Sequence, residues 1–304
     1  MRTSIAHRTN WIPYDAAMCS TGMRTRWSCA SHILPKLGTP SVEPLAGNAT
    51  VPGMPIRVVT LDWGDTLAAN HGQPYSFAHR RALDTLATEL RQQGAELAED
   101  WVDRCEHELT TAWVSSASPE SNPENREFDM LGLFASWSDS FRTALEQAQL
   151  DAAFDRFSAT CIDTVCAYDG VGAALVELRD QGLRLGILSH IPWHRSACEG
   201  WLRRRGWLEH FDFLSLSSEV GWIKPHPAHY QHAIAAAGCP APEILHVGDH
   251  PQRDVIGGKA TGFRTCLRWT DGIYPPKVLR ACGADHIIAH VGELPDLVAS
   301  INAD

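Results

Sequence analysis

The chain has 304 residues, 44% hydrophobic and 20% charged, with 26 Lys and Arg against 36 Asp and Glu and a formal charge of -10. This is the composition of a globular protein with one large or two ordinary domains, and it lacks the basic stripe that would neutralise nucleic-acid phosphates. No apolar run reaches the roughly eighteen residues that a membrane span needs, and the nine Cys form no C-x-x-C pair or zinc spacing; reduced thiols, a cytoplasmic protein and a small-molecule partner are expected, with no nucleic acid and no membrane.

Residues 1–53 hold five basic residues (Arg2, Arg8, Arg24, Arg26, Lys36), two acidic ones (Asp15, Glu43) and no apolar periodicity. They are expected to lie outside the folded unit, either as an artefact of an upstream start codon, with Met54 the natural start, or as an Arg-rich targeting peptide. At Pro55–Leu61 the chain becomes β-branched and short, as a buried strand should be. From Pro74 to Cys166 the pattern turns helical: Leu83, Leu86, Ala87 and Leu90 share one face, and Gly94 marks a stop. Further helices are predicted over Trp101–Trp113, Leu131–Leu150 and Ala152–Cys166, with a loop at Ser115–Arg126 rich in Ser, Pro, Asn and Glu.

The chain then alternates. A helix bearing Val171, Ala174, Leu175 and Leu178 stops at Gly182; a strand follows at Leu183–Leu188, a helix at Arg195–Arg205 and a strand at Phe213–Leu216. Helix Ala228–Ala237, strand Ile244–Val247, helix Asp254–Ala260 and strand Arg264–Leu267 complete the predicted elements. Strands separated by helices of this length specify a Rossmann-like parallel sheet with helices on both faces, in which ligands bind beyond the carboxyl ends of the strands.

Those ends carry the chemistry. Asp62-Trp63-Gly64-Asp65-Thr66 follows the first strand, Ser189-His190 the strand at 183–188, and Gly248-Asp249 the strand at 244–247, with Asp254 five residues on; Lys224-Pro225 precedes a helix. Three carboxylates on one edge repel one another unless a divalent cation is present, and hard oxygen ligands point to Mg²⁺. With Mg²⁺ and Lys224 the cluster is neutral and leaves room for a phosphate, so phosphoryl transfer to a carboxylate is the chemistry implied.

This ordered set resembles the haloacid dehalogenase-like (HAD) hydrolase superfamily, in the branch with a helical cap inserted after the first motif, and the resemblance covers Met54 to about Asp304. Asp62 with Thr66 matches the first motif, Ser189 the second, Lys224-Pro225 the third, and Gly248-Asp249 with Asp254 the fourth. The resemblance implies an α/β core at 54–69 and 167–304, a helical cap at 70–166, and a phosphatase acting on a small phosphorylated metabolite. It implies Asp62 as nucleophile; Asp62, the Gly64 carbonyl, Asp249 and Asp254 around Mg²⁺, with Asp254 orienting water or Lys224; and Thr66, Ser189, His190 and Lys224 at the substrate. Most family phosphatases carry an acid-base Asp two residues after the nucleophile. Gly64 stands there, so Asp65 or His190 would have to move the proton.

Two other readings remain open at this level. One is a metal-independent haloacid dehalogenase, against which Asp249 and Asp254 count; the other is a phosphate-ligand-binding protein without turnover, which Gly64 favours. Trp63, Trp193, Trp201 and Trp207 are expected to pack in the interior rather than form a substrate platform. Arg203–Arg205 is expected to be a solvated face, and Cys161 and Cys166 buried helical thiols. His190, His226 and His250 are placed on loops at the catalytic edge. Oligomeric state carries no sequence signal.

Overall fold

A computed structural model describes residues 54–69, 75–138, 146–269 and 274–303. The expectation for residues 1–53 lies outside the described residues. At the centre is β1 (Val58–Leu61), buried along its whole length and flanked on both sides by parallel strands. With β4 (Arg184–Ser189), β5 (Phe213–Leu216), β6 (Ile244–Gly248), β7 (Arg264–Arg268) and β8 (His286–Ile288) it forms a six-stranded sheet in the order β5-β4-β1-β6-β7-β8, every pair parallel. Burial on both faces accounts for the continuous apolar runs of these strands. Because β1, β4 and β6 are adjacent, the loops at their carboxyl ends converge on one edge.

A second, two-stranded sheet pairs β2 (Ala68–Ala69) with β3 (Cys166–Ala167) in antiparallel fashion, Ala68 opposite Ala167. Four helices lie between these two strands in the chain: α1 (Tyr75–Gln92), α2 (Trp101–Ala117), α3 (Met130–Ser138) and α4 (Gln147–Asp163). In α1 the residues Leu83, Leu86, Ala87 and Leu90 are buried as their spacing requires. Gly94, at φ +87, adopts the left-handed conformation that ends the helix. Trp101, Phe134, Trp137 and Phe157 pack edge to face or tilted within this insert.

The remaining helices cover the sheet: α5 (Val171–Asp180), α6 (Arg195–Arg203), α7 (Ser217–Val220), α8 (Pro227–Ala237), α9 (Gly257–Ala260), α10 (Pro276–Ala281) and α11 (Leu294–Ala303). Asn302 on α11 accepts from the Ile56 N–H at 2.6 Å and donates to the Ile56 carbonyl at 3.0 Å, pinning the chain just before β1. Among the described residues no helix is long and apolar enough to cross a membrane.

The sequence expectations need four corrections. The single helix expected over Leu131–Leu150 is broken: Glu146 is extended (φ -67, ψ 149) and opens α4 with a capping box closed by Gln149. The helix expected to run to Cys166 stops at Asp163, and Cys166 is an exposed strand residue rather than a buried helical thiol. The helix expected at Asp254 begins as a wide π-type turn over Pro251–Ile256 before α9. Beyond Leu267, α10, β8 and α11 were not anticipated.

Candidate active site

Asp62 leaves β1 with its N–H bonded to the Val247 carbonyl of β6 at 2.8 Å, which fixes the loop after β1 against the end of β6. Lys224, only 2% exposed, comes from the segment after α7. Its ammonium donates to Asp62 Oδ1 at 2.9 Å, Asp254 Oδ1 at 2.5 Å and the Leu188 carbonyl at 2.9 Å, which uses all of its donors. Burial works against that charge, but Asp254 and Asp62 outweigh it and the Lys224 pKa is raised. Asp254 is likewise penalised by burial, yet Lys224 and His246 hold its carboxyl well below the usual carboxylate range.

Asp254 is also tied to its own neighbourhood. Its Oδ2 accepts from the His250 N–H at 2.8 Å, while Oδ1 lies 3.1 Å from His246 Nε2; His246 Nδ1 in turn pairs with Thr60 Oγ1 at 3.0 Å. Gly248 is dictated by this proximity, since a Cβ there would fall 2.1 Å from Asp254 Cγ. Carboxylate oxygens of Asp62, Asp249 and Asp254 lie within 4.8 Å of one another. This all-oxygen donor set suits a hard divalent cation. Of the three, Asp254 is bonded to Lys224, His246 and the His250 N–H, and Asp62 to Lys224.

Ser189, 2% exposed at the end of β4, accepts from the Trp63 N–H at 3.4 Å. Asp65 sits at φ +50; its Oδ1 accepts from the Tyr168 hydroxyl at 3.3 Å and its carbonyl from Arg268 at 2.5 Å, with the Arg268 guanidinium 4.0 Å over the Tyr168 ring. His190 Nε2 lies 3.1 Å from Glu127 Oε2; Glu127 also accepts from the Ser217 hydroxyl, whose oxygen in turn accepts from the Ile191 N–H at 2.8 Å. This chain of contacts joins the loop between α2 and α3 to the end of β4.

The structure therefore brings Asp62, Gly64, Asp65, Ser189, His190, Lys224, Asp249, His250 and Asp254 around one cleft. Thr66 is fully buried, its hydroxyl lacks a hydrogen-bond partner, and it does not line that cleft; nor does His226, which stacks 3.9 Å from Trp222. Trp63 and Trp193, expected only to pack, do line the cleft, whereas Trp201 is wholly interior. Sequence reasoning missed His79, Trp113, Glu127 and His246. Only His246 carried a visible signal, a lone polar residue in the apolar run Ile244-Leu245-His246-Val247; the others lie on the insert, where no motif marks them.

A family model described as haloacid dehalogenase-like hydrolase matches residues 106–267, more than half of the chain. The chain belongs to this family of haloacid dehalogenase-like hydrolases. The match includes Ser189, Lys224, Asp249 and Asp254, and Asp62 precedes it. Among curated relatives, haloacid dehalogenase-like hydrolase domain-containing protein 3 of Homo sapiens is 33% identical over 126 residues, 41% of this chain and 49% of that protein. A phosphoserine phosphatase of Thermus thermophilus is 36% identical over 111 residues, 36% of this chain and 42% of that protein. The matched segment thus spans about half the length of these relatives. The fold is shared with a HAD phosphatase from Thermococcus onnurineus (TM-score 0.52, 21% identity, 80% of this chain and 98% of that one). It is equally shared with a 2-haloacid dehalogenase from Pseudomonas syringae pv. Tomato (TM-score 0.52, 21% identity, 81% of this chain and 99% of that one), so fold alone does not separate the two chemistries.

Proposed function

We propose that this HAD hydrolase is a Mg²⁺-dependent phosphatase of a small phosphorylated metabolite, working through an aspartyl phosphate on Asp62. The observation that carries this reading is the enclosure of Lys224 by Asp62 and Asp254, with Asp249 beside them. Three carboxylates and one ammonium leave the cluster short of two positive charges, which a divalent cation supplies. A departing halide would meet this same negative cluster, so metal-independent dehalogenation fits the residues less well. The phosphatase names among the relatives support the same choice.

On this reading Asp62 attacks phosphorus and the leaving oxygen departs; water then attacks the phosphorus of the aspartyl phosphate, releasing phosphate and regenerating the carboxylate. Asp62, Asp249 and the Gly64 carbonyl would hold Mg²⁺, which offsets charge on the transferring group. Asp254 orients Lys224. Ser189 and Lys224 bind phosphoryl oxygens, and His190 faces the substrate. Residues 70–166 form the cap and 54–69 with 167–304 the core, a division supported by the pairing of β2 with β3 at the two crossing points. The cap would exclude water from the reacting centre. We assign the protein to the cytoplasm from its cysteine usage.

Phosphate release from a panel of phosphomonoesters tests the proposal. Turnover with Mg²⁺ that EDTA abolishes is expected; halide release from 2-haloacids in EDTA would replace the phosphatase reading with the dehalogenase one, and phosphate binding without any turnover would leave a binding protein.

A further inference from the structure

The wall of the cleft supplied by the insert has a different character from the charged edge. The insert contributes Ala78, His79, Trp113, Cys161, Ile162 and Val165 to it, and among the described residues no Lys or Arg. From the core side Trp63, Ile191 and Trp193 face the same space, while Arg253 lies on the turn beside Asp254, near the carboxylates. A leaving group bearing a carboxylate or a second phosphate would find no insert cation to pair with.

His79 is the one imidazole on this insert wall, a side chain that can both donate and accept. It is 1% exposed, and neither ring nitrogen has a hydrogen-bond partner. Its ring stands edge-on to Trp113 at 5.6 Å and to Trp193 at 5.5 Å. Burial lowers its pKa to about 4, so at neutral pH it carries one donor and one acceptor and no charge. Buried polar groups are nearly always paired, and a buried imidazole with both nitrogens unpaired at a cleft wall is an opening for a ligand.

Resting on the phosphatase reading, we propose that the leaving group is an aromatic ring with an uncharged hydroxyl-type edge, packed against Trp63, Trp113 and Trp193 and hydrogen-bonded by His79. His79 is then a specificity-determining residue: it takes no part in bond cleavage and selects the group that leaves. An apolar wall alone would accept any chain of suitable length, whereas a wall of aromatic rings, in which Trp113 is itself stacked with Trp193 at 5.9 Å and with His190 at 5.8 Å, favours a ring against its edges, and the unpaired imidazole favours a ring with a polar edge.

Calorimetric titration with non-hydrolysable phosphonates in a magnesium buffer tests this without turnover, so leaving-group reactivity does not enter. Inorganic phosphate, heptylphosphonate, benzylphosphonate and the three hydroxybenzylphosphonates are compared on the full chain. Benzylphosphonate is expected to bind roughly three- to tenfold tighter than heptylphosphonate, which has the same number of carbons. One hydroxybenzyl isomer is expected to gain roughly a further two- to tenfold, a gain that disappears in His79→Phe and His79→Leu. Equal binding of the heptyl and benzyl compounds, no gain from any hydroxyl, or a gain that survives both substitutions would overturn the assignment. Wild-type comparisons decide the outcome even if a variant folds poorly. Failure of inorganic phosphate and every phosphonate to bind would instead remove the phosphate site, and the phosphatase reading with it.

Discussion

The ammonium of Lys224 lies 2.5 Å from Asp254 Oδ1, with both side chains 2% exposed. The pair is bound into a larger unit through Asp62, His246 and the Leu188 carbonyl, so neither charge is isolated. Removing one member of a buried pair strands the other. Lys224→Met is therefore expected to lower unfolding free energy by about 3–5 kcal/mol, measured by urea denaturation, and to abolish phosphate release. A stability change within experimental error would show that the pair is solvated.

Glu127 gives a second test, because it joins His190 and Ser217 across the junction between insert and core. Glu127→Ala leaves both partners without their acceptor and is expected to cost about 1–3 kcal/mol, whereas Glu127→Gln keeps one acceptor oxygen and should cost less. Thermal and urea unfolding of the two variants measure the difference; equal effects would mean that packing, rather than hydrogen bonding, holds this contact.

The core and the charged edge of the site were legible in the sequence because each has a short-range signature. A buried parallel strand reads as a β-branched run, and Asp62, Ser189, Asp249 and Asp254 each follow such a run at a fixed distance. The insert was legible only as helices. His79 and Trp113 lie on α1 and α2 at positions where an apolar helix face would also put them, so periodicity alone could not tell a core side chain from a cleft wall. Glu127 sits in a loop without a pattern, and its partners Ser217 and His190 are far off in sequence. The helix start at Glu146 has no visible sequence signal because its capping box uses Glu in place of the usual Ser, Thr, Asp or Asn.

His79 makes stability depend on pH in a definite direction. Its pKa is about 4 in the folded protein and 6.5 when exposed, so the unfolded chain takes up a proton that the folded one refuses as pH falls. The penalty starts near the exposed value, grows as pH drops and levels off near the folded value. Between pH 7 and pH 5 it amounts to about 2 kcal/mol by proton linkage. His79→Phe is expected to lose less stability than wild type over that interval, as read from urea midpoints at the two pH values. Parallel pH curves for the two proteins would mean that His79 already titrates near its ordinary value.

On the phosphatase reading Gly64 limits the chemistry. It stands where an acid-base carboxylate would be expected, and Asp65, one residue on, is engaged by Tyr168 through its side chain and by Arg268 through its carbonyl. General acid help is worth roughly 10² to 10⁴ in rate. Turnover is therefore expected to fall steeply as leaving-group pKa rises, with aryl, acyl and anomeric phosphates cleaved well and simple alkyl phosphates poorly. Gly64→Asp should raise the alkyl class selectively. A flat dependence, with Asp65→Asn as damaging as Asp62→Asn, would place the acid-base function on Asp65.

Acid-quench trapping tests directly whether the Asp62 carboxylate is the nucleophile that takes up the phosphoryl group. Enzyme mixed with ³²P-labelled acetyl phosphate and Mg²⁺, quenched within a single turnover and digested, is expected to yield one labelled peptide containing Asp62, with no label in Asp62→Asn or in EDTA. Label on another peptide, or phosphate release by Asp62→Asn at the wild-type rate, would contradict it.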